Sequence, residues 1–369
     1  MKIKLSQAFD LQMGKTPARN NAAYWNGSKK WVSIADIGNS GKYIADTKEC
    51  ITDKGVRESG IKAVPKETVI MSFKLSIGKT AITAEELYTN EAIMAFIDKG
   101  IYAIDPAYFY HLCCGKNWTA GTNKAVMGLT LNKATISGIE INIPDIAEQR
   151  KIAARLDCLD TVIADRQLQL EYLDQLVKSR FIELFGDPVS NPHGYPKVPL
   201  STLAEIKIGP FGSLLHKTDY IANGHALVNP SHIVAGKISV DDELTVSNEK
   251  FMELSAYHLQ VGDVVMGRRG EMGRCAVVQT DGLLCGTGSL LIRTKGDVTA
   301  DYLQKIISFP SFKKAIEDMA VGQTMPNLNV PIVSRFQIIQ PPIEIQKAYY
   351  AFVEQTDKSK LCGKMEVAA

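Results

Sequence analysis

The chain has 369 residues, a mass of 40.5 kDa and a formal net charge of +2, and it is long enough for two domains that each bury a core. Its 45% hydrophobic and 22% charged residues are typical of a folded globular protein, not of a disordered or membrane-embedded one. No apolar run approaches the ~18 residues of a membrane span, and the basic N-terminus lacks the apolar stretch of a signal peptide. We therefore expect a cytoplasmic protein without a membrane partner. The small net charge neither requires nor excludes nucleic acid, because what matters is whether positive charge gathers on one face.

The seven cysteines are odd in number and scattered, and they contain no Cys-x-x-Cys pair. This pattern argues against a disulfide framework and against a zinc site. We predict no metal in this chain and expect buried free thiols. The cysteines are Cys50, Cys113, Cys114, Cys158, Cys275, Cys285 and Cys362.

Residues 1–143 are predicted to form a first α+β domain. Short β-branched runs such as Thr68 to Ser72 are interrupted by glycine and polar residues, which indicates twisted strands in a small sheet with some helices. Gly-Lys-Thr triplets begin at Gly14 and Gly78, but neither has the glycine that a phosphate-binding P-loop requires five residues earlier. The sequence therefore predicts no nucleotide site in this domain.

The segment Asp105-Pro-Ala-Tyr is similar to the Asp-Pro-Pro-Tyr pocket in which adenine methyltransferases hold a flipped base, but it lacks the second proline. We find no glycine-rich strand–turn–helix that would hold S-adenosylmethionine. Nothing in the sequence combines a nucleophile, a base and an oxyanion site. We therefore predict that the chain has no catalytic residues and no cofactor of its own, which makes a stand-alone methyltransferase the weakest interpretation.

Residues 144–186 are predicted to form one long helix. Asp145 is an N-cap followed by Glu148, Gly186 supplies the stop, and the segment between is free of glycine and proline. At ~1.5 Å per residue the helix would be about 60 Å long. From its second turn the apolar residues recur at steps of four and three, as in a coiled coil, and we call these residues the seam: Ile152, Leu156, Leu159, Ile163, Leu170, Leu173, Val177 and Leu184.

Arg166 and Arg180 occupy seam positions where an apolar residue is expected. A lone charge at such a position costs stability while it fixes the register or meets a specific partner. Packing of the whole helix against a neighbouring domain remains an alternative. The narrow stripe and the charged opposite face favour a coiled coil.

Residues 187–340 are predicted to contain a linker and a second α+β domain that repeats the first. The linker is rich in turn-forming residues, and with the last two residues of the helix segment it reads "FGDPVSNPHGYPK". "LSQAFDLQMG" from Leu5 matches "LSTLAEIKIG" from Leu200, and "VPKETVIMSFKLSIGKTA" matches "LQVGDVVMGRRGEMGRCA". "LTLNKATISGIEINIPDIAEQR" then matches "PNLNVPIVSRFQIIQPPIEIQK". Three collinear blocks predict an internal duplication, with a domain followed by a helix in each half.

Residues 341–369 are predicted to contain a much shorter second helix and a tail. Tyr349 and Val353 continue an apolar seam, but Thr356 and Lys360 follow, and "KSKLCGKMEVAA" breaks the pattern. The prediction is a helix of about 16 residues, or ~25 Å. Half of the first helix would then remain uncovered, and we expect its seam to meet another chain, including a second copy of this one.

Several motifs together resemble the specificity subunit of type I restriction-modification systems. They are "IPDIAEQRKIAARLD" opening the long helix, "ELFGDP" closing it, "GPFGSLLHKTDY", "GDVVMGRRGEMGRCAVV" and "GQTMPNLN" before the second helix. The resemblance covers almost the whole chain. It implies two tandem target recognition domains, each reading one half of a bipartite double-stranded DNA target. It also implies that antiparallel spacer helices set the gap between the half-sites and dock the methyltransferase subunits.

The same resemblance assigns the chemistry to partners. It implies methyltransferase subunits that bind S-adenosylmethionine and methylate adenine N6, and a restriction and translocase subunit that joins for cleavage. The arrangement of two similar domains on a rigid helix agrees with this on physical grounds, because a helix holds a fixed length that a flexible linker does not. The competing interpretation is a structural protein whose coiled coil and duplicated domains bind other proteins.

The best candidates for DNA contact lie in "MGRRGEMGR", a basic glycine-rich turn between two apolar strands. Arginine grips guanine bidentately or holds a phosphate, and glycine lets the backbone approach DNA. The candidates there are Arg268, Arg269, Gly270 and Arg274. The matching turn in the first domain offers Lys74 and Lys79, and two further loops of the second domain offer Ser213, Lys217 and Asn229. For these last loops, turn and cap chemistry remains an equal alternative.

Candidates for contact with a partner chain lie in the second half of the long helix. The predicted short second helix would leave this half of the seam exposed. The residues are Arg166, Leu170, Leu173, Val177 and Arg180.

Overall fold

The computed structural model describes residues 1–74, 76–118, 131–320 and 327–368. It divides into two compact units, Met1–Asp165 and Arg166–Ala369. The boundary falls within the long helix, and each unit is described by itself. Within the described residues no helix is both long and apolar enough to cross a membrane.

In its described residues, unit 1 contains ten strands, six helices and a core of mixed helix and sheet. Its strands are β1 (Lys2–Lys4), β2 (Phe9–Met13), β3 (Trp25–Val32), β4 (Tyr43–Ile44), β5 (Glu49–Ile51), β6 (Val69–Ser72), β7 (Thr80–Thr83), β8 (Tyr88–Thr89), β9 (Ile93–Asp98) and β10 (Glu140–Asn142). Its helices are α1 (Leu5–Ala8), α2 (Ile34–Asn39), α3 (Asp53–Ser59), α4 (Pro106–Gly115), α5 (Lys133–Gly138) and α6 (Ile146–Phe185), which continues into unit 2.

The central sheet of unit 1 has the strand order β2-β9-β6-β7-β4, and a smaller sheet has the order β5-β3-β8. Strands β6 and β7 are buried along their whole length, and β6 contributes Val69 and Met71 to one apolar cluster and Ile70 to another. One side of the main sheet packs on α4, where Phe109 stacks on Phe9 at a ring distance of 4.4 Å. The core therefore lies between the sheet and the helix, as the predicted α+β class requires.

Unit 2 repeats this plan with the second half of α6. Its strands are β11 (Lys197–Pro199), β12 (Ala204–Ile208), β13 (Tyr220–Ile221), β14 (His225–Val228), β15 (Ile233–Val234), β16 (Lys237–Ile238), β17 (Thr245–Val246), β18 (His258–Leu259), β19 (Val264–Gly267), β20 (Cys275–Val277), β21 (Leu283–Cys285), β22 (Ser289–Thr294) and β23 (Gln337–Ile339). Its helices are α7 (Leu200–Leu203), α8 (Asn248–Glu253), α9 (Ala300–Ile307), α10 (Pro310–Ala320), α11 (Val330–Ser334) and α12 (Ile343–Ala368).

The strand pairings of unit 2 match those of unit 1. The order β12-β22-β19-β20 repeats β2-β9-β6-β7, and the parallel pair β14–β21 repeats the parallel pair β3–β8. The antiparallel pair β11–β23 likewise repeats β1–β10. The duplication read from the sequence is therefore present in the sheets, and the two-domain architecture of mixed helix and sheet is confirmed.

A buried glutamine fixes the start of the long helix of each unit. Gln149 is fully buried; its side chain accepts a hydrogen bond from the Asp105 backbone N–H at 2.9 Å and donates to the Ala103 carbonyl at 2.9 Å. Gln346 is also fully buried, and it accepts from the Thr299 N–H at 2.9 Å and donates to the Pro341 carbonyl at 2.9 Å. Each glutamine thus ties its helix to the N-cap residue of an earlier helix, Asp105 before α4 in unit 1 and Thr299 before α9 in unit 2.

Helix α6 runs from Ile146 to Phe185, inside the predicted segment 144–186, and has the predicted cap. The Asp145 carboxylate accepts a hydrogen bond from the Glu148 backbone N–H at 2.9 Å, as an N-cap does. Within unit 1 the helix is also held by Asp157, whose carboxylate lies 2.6 Å from Lys42 Nζ and 2.7 Å from His111 Nε2. Partial burial acts to raise the pKa of Asp157. The hydrogen bonds from Lys42 and His111 outweigh this effect and lower the pKa below its usual value.

His111, Asp157 and the nearby Asp160 are grouped closely enough to hold a metal ion. The Asp157 carboxylate, however, already has the Lys42 ammonium 2.6 Å away. This cation supplies the positive charge that the carboxylate needs. We therefore interpret these three residues as a set of polar contacts that hold α6 against the rest of unit 1.

Helix α12 is longer than predicted. It has 26 residues where the sequence pattern indicated about 16, and it continues through Gly363, because a single helical glycine costs only about 1 kcal/mol relative to alanine. It remains shorter than the 40 residues of α6.

The longer α12 corrects the prediction that the second half of the α6 seam is uncovered. Tyr349 Oη donates to the Val177 carbonyl at 3.2 Å, and Lys360 Nζ lies 2.8 Å from Asp174, so the two helices run antiparallel in unit 2. Leu184 packs against the same core, and Leu170 and Leu173 are half-buried. Val177 and Leu184 of the seam therefore pack on the core of unit 2 within this chain.

The cysteines only partly follow the expectation. Cys113, Cys275 and Cys285 are buried free thiols, and burial raises the pKa of Cys275 and Cys285 to about 12. Cys114 and Cys158 are exposed, against the expectation, because they lie on outward faces of α4 and α6. The apolar character of cysteine alone does not predict which face of a helix a given cysteine occupies.

Candidate nucleic-acid interface

Several loops of unit 2 converge where β12 ends, β19 ends and β22 begins. The Gly209 N–H donates to the Ser289 carbonyl at 3.0 Å, and the Arg268 N–H donates to the Gly288 carbonyl at 2.9 Å. Gly209 is required here, since an added Cβ would lie 2.0 Å from the Gly286 carbonyl oxygen. The two glycine-containing loops singled out in the sequence therefore emerge side by side at one end of the four-stranded sheet.

The turn after β14 belongs to the same end of the unit. The Gly286 N–H donates to the Val228 carbonyl at 3.0 Å, and Arg274 Nη1 donates to the Pro230 carbonyl at 3.1 Å. Gly267 has Pro230 as its nearest neighbour. The structure thus brings together three regions that the sequence could only list separately.

The three arginines of the loop 268–274 have different environments. Arg268 is half-buried, and its Nε–H donates to the Leu328 carbonyl at 2.9 Å while its own carbonyl accepts from the Leu328 N–H. Burial, and then the neighbouring Arg269, lower the pKa of Arg268. Arg268 therefore holds the loop against the segment before α11, and this internal bond uses one edge of its guanidinium.

Arg269 is exposed and makes no hydrogen bond or ion pair with any residue that the structure describes. Gly270 follows it with a positive φ of 81° and open space around its Cα. Arg269 is therefore the arginine of this loop whose whole guanidinium is available to a ligand. Arg274 is different, because its Nε and Nη2 both lie near the Glu271 carboxylate, at 3.3 and 3.2 Å.

The other predicted loops of unit 2 divide into exposed and structural residues. Ser213 and Lys217 are exposed on the segment after Gly209. Asn229 is half-buried at the N-cap position of the short turn Pro230–His232, and its backbone carbonyl accepts a hydrogen bond from the His232 N–H at 2.9 Å. Phe211 was not predicted as a contact, yet its side chain is 61% exposed.

The matching region of unit 1 carries Lys74 and Lys79. Lys79 is exposed and Lys74 half-exposed, while Leu75 between them lies outside the described residues. Gly14 repeats the close approach of Gly209, with an added Cβ 2.1 Å from the Asn90 carbonyl oxygen. The basic loop of unit 1 therefore occupies the equivalent place but carries less charge.

An aromatic and cationic cluster in unit 1 was missed by the sequence reasoning. The guanidinium of Arg19 lies 3.9 Å from the ring centroid of Trp25 and 4.8 Å from that of Trp31. Arg19 is also paired with both carboxylate oxygens of Glu49. The local sequence "PARNNAAYW" holds the signal, since the arginine and Trp25 are close in the chain, but Glu49 is distant in sequence.

The predicted partner-binding residues lie along α6 in unit 2. Arg166 Nη1 donates to Gln169 at 2.8 Å, and Arg180 Nη1 pairs with Glu183 at 2.8 Å. The sequence reasoning missed a second apolar stripe on the opposite, solvent-facing side of this helix. Its residues are Leu168, Tyr172 and Leu176, which recur every four positions and are 44%, 58% and 49% exposed.

Two glycines of the basic loop give a matched prediction about stability. Gly273 has φ of 72°, and an added Cβ would lie 2.7 Å from the Ile307 carbonyl oxygen and from Lys313 Cγ. Gly273→Ala should therefore destabilise unit 2 by about 2–3 kcal/mol, measured by urea denaturation. Gly270→Ala strains the backbone at its positive φ but causes no steric clash, so it should cost only about 1 kcal/mol. Equal losses of unfolding free energy for the two variants would contradict the packing described here.

The family model for the type I restriction modification DNA specificity domain matches residues 1–172 and again residues 214–362. The chain belongs to this family. The two matches correspond to the two halves of the duplication, and they confirm the resemblance that the sequence motifs carried. The "GQTMP" part of the motif before the second helix, at 322–326, lies outside the described residues.

Relatives and solved structures agree with the family assignment. The MjaIX type I restriction enzyme specificity subunit of Methanocaldococcus jannaschii is 23% identical over 375 residues, which cover 95% of this chain and 85% of the relative. A chain from a structural study of complex assembly and conformational transition of the type I restriction-modification system has a TM-score of 0.64 at 17% identity, over 100% of this chain and 92% of that one. The HsdS subunit from Thermoanaerobacter tengcongensis has a TM-score of 0.55 at 17% identity, with the same coverage of both chains. These two likenesses show a shared fold.

Proposed function

We propose that this specificity-domain protein is the non-catalytic DNA-reading subunit of a type I restriction-modification complex. Each unit would read one half of a bipartite duplex target. The observation that carries the proposal is the convergence of the loops at Gly209, Pro230 and Arg268 on one end of the unit 2 sheet, with Arg269 fully available beside them. A guanidinium on a glycine-rich loop reads guanine or holds a phosphate.

The duplication supports two half-sites. Both units carry the same strand order and the same glycine approach, at Gly14 and Gly209, so both can present loops to DNA in the same way. Their basic loops differ in sequence, with Lys74 and Lys79 in one and three arginines in the other. Two domains of similar fold but with different side chains on these loops would read two different half-site sequences.

The helices α6 and α12 would serve as the spacer of this subunit. Their antiparallel contacts in unit 2 give a rigid element, and a rigid element holds a constant gap where a flexible linker would not. The exposed stripe Leu168, Tyr172 and Leu176 offers an apolar surface to the methyltransferase subunits, which would bring S-adenosylmethionine. The restriction and translocase subunit would join the same assembly in the cytoplasm. Self-association stays a prediction, with less of the seam available to it because Val177 and Leu184 pack within the chain.

Replacing Arg269 by alanine tests the proposed reading loop. If Arg269 contacts a base, Arg269→Ala should weaken binding of the target by ~1–3 kcal/mol and relax specificity at one position. If it holds only a phosphate, affinity should fall about equally on all sequences. The measurement is a mobility shift on target and random duplexes with the co-expressed methyltransferase partner, with Arg155→Ala on the exposed face of α6 as the control. Unchanged binding by Arg269→Ala would remove this loop from the interface.

A further inference from the structure

A cavity of about 560 Å³ opens beside the basic loop of unit 2. It lies between the hairpin of β15 and β16, the end of the loop 268–274, and the helices α9 and α10. Four cationic side chains line it, against one carboxylate, that of Glu271. The cations are Lys237, Arg274, Lys305 and Lys313. The described lining of the cavity therefore carries more positive than negative charge.

Glu271 lies between two of these cations. Its Oε1 is 2.6 Å from Lys313 Nζ, and its Oε2 is 3.2 Å from Arg274 Nη2. The hydrogen bond from Lys313 is the main reason that the pKa of Glu271 is lowered. The two donors on Arg274 that face this carboxylate are those that would hold a phosphate, since arginine binds both groups with the same fork.

The packing around this group is specific. Gly273 lacks a side chain, and the Lys313 Cγ lies where a Cβ would clash, so the lysine stem lies directly over the loop. Arg274 is fixed from the other side by the Pro230 carbonyl at 3.1 Å. The Glu271 side chain, by contrast, is about half exposed, at 51%. The two cations are held in place, whereas the carboxylate between them is free to turn outward.

We propose that this cavity is a phosphodiester-binding site, and that the Glu271 carboxylate occupies the phosphate position in the free protein. A DNA backbone phosphate would displace it and take over the donors of Arg274 and Lys313, with Lys237 and Lys305 adding positive charge. This inference rests on the proposed function, because the site adjoins the loops assigned there to DNA. It adds Lys237, Glu271, Lys305 and Lys313 to the residues that determine affinity.

Unit 1 offers an internal comparison. Lys79 matches Arg274 in the duplication, and its Nζ lies close to Gly38, 2.6 Å from where an added Cβ would stand. Ser76 stands where unit 2 has Glu271. The basic loop of unit 1 therefore carries no carboxylate of its own, and introducing one at this position would place an acidic group in the loop of Lys79, as Glu271 stands in the loop of Arg274.

The test compares charge variants of the full chain, in complex with its methyltransferase partner, by fluorescence anisotropy on a short random-sequence duplex at several salt concentrations. Glu271→Gln should raise the affinity about 3–10-fold and steepen the dependence of log K on log salt by up to ~0.9, the value for one more neutralised phosphate. Lys313→Gln and Ser76→Glu should each lower the affinity by a similar factor. Glu253→Gln, which removes a carboxylate paired with Lys250 at 3.0 Å away from the cavity, should leave binding unchanged.

The outcomes separate the two proposals. If the wild-type complex binds no duplex, or binds without salt dependence, the proposed function fails and this inference fails with it. If the wild type binds normally but Glu271→Gln and Lys313→Gln leave affinity and salt slope unchanged, only the phosphate site is overturned. Inorganic phosphate is the other ligand that could bind these cationic side chains, and its binding is measured as a rise in thermal stability. Stabilisation by phosphate that Lys313→Gln abolishes, without any effect of this variant on DNA affinity, would overturn the assignment to DNA.

Discussion

Replacing Gln346 by leucine is expected to destabilise unit 2 by about 2–4 kcal/mol. Gln346 is fully buried, and its amide satisfies the Thr299 N–H and the Pro341 carbonyl. Leucine fills similar space but leaves both backbone groups buried without a partner, and each such group costs about 1–3 kcal/mol. Urea denaturation followed by circular dichroism measures the loss.

Two further variants make this expectation specific. Gln337→Leu removes an amide on an exposed strand position that bonds only the Arg335 carbonyl, at 3.1 Å, and it should have little effect. Gln149→Leu should lower the stability of unit 1 instead, because Gln149 makes the equivalent bonds to Asp105 and Ala103. If Gln346→Leu were as mild as Gln337→Leu, the buried amide would not be the fastening that we describe.

Phe185→Ala is expected to cost unit 2 about 3–5 kcal/mol, the usual range for removing a buried phenylalanine. Phe185 is the last residue of α6 and is fully buried. Its ring lies 5.1 Å from that of Tyr302 and 5.4 Å from that of Tyr349, so one side chain joins α6 to both α9 and α12. Truncation would leave a cavity at the point where the three helices meet.

The same helix provides the control for this variant. Tyr172 is also aromatic, but it is 58% exposed, and Tyr172→Ala should change the free energy of unfolding by less than about 0.5 kcal/mol. Denaturation of both variants by urea, monitored at the transition of unit 2, gives the comparison. Equal destabilisation by the two variants would mean that the end of α6 is not anchored through Phe185.

The helix signals and the internal repeat in the sequence predicted the main features of the architecture. The position of α6 followed from the Asp145 cap, Gly186 and the apolar seam between them, because helix ends and periodicity are local properties. The duplication followed from three matched blocks. The length of α12 was underestimated, because Thr356 and Lys360 interrupt its apolar seam. In the structure Thr356 is nevertheless buried, and Lys360 pairs with Asp174 of α6.

The roles of single site residues were harder to predict. Arg268 and Asn229 stay predictions as DNA contacts, but the fold gives both of them internal roles as well: Arg268 bonds the distant Leu328 carbonyl, and Asn229 stands at the N-cap of a turn. A sequence shows the chemistry of a side chain, whereas its availability depends on partners that only the fold brings near. Glu271 shows the reverse case, since its carboxylate lies within the motif but its bond to Lys313 of α10 appears only in the structure.

The most direct test of the central claim is the methylome of a host that expresses this chain with its methyltransferase partner, determined by single-molecule sequencing. We expect methylated adenines in a bipartite motif, with two short words separated by a gap of constant length. In cells carrying Arg269→Ala, methylation should relax in one word or decline evenly, while the other word and the gap are retained. A single continuous motif, no methylation that depends on this chain, or a change in both words and the gap would contradict the account.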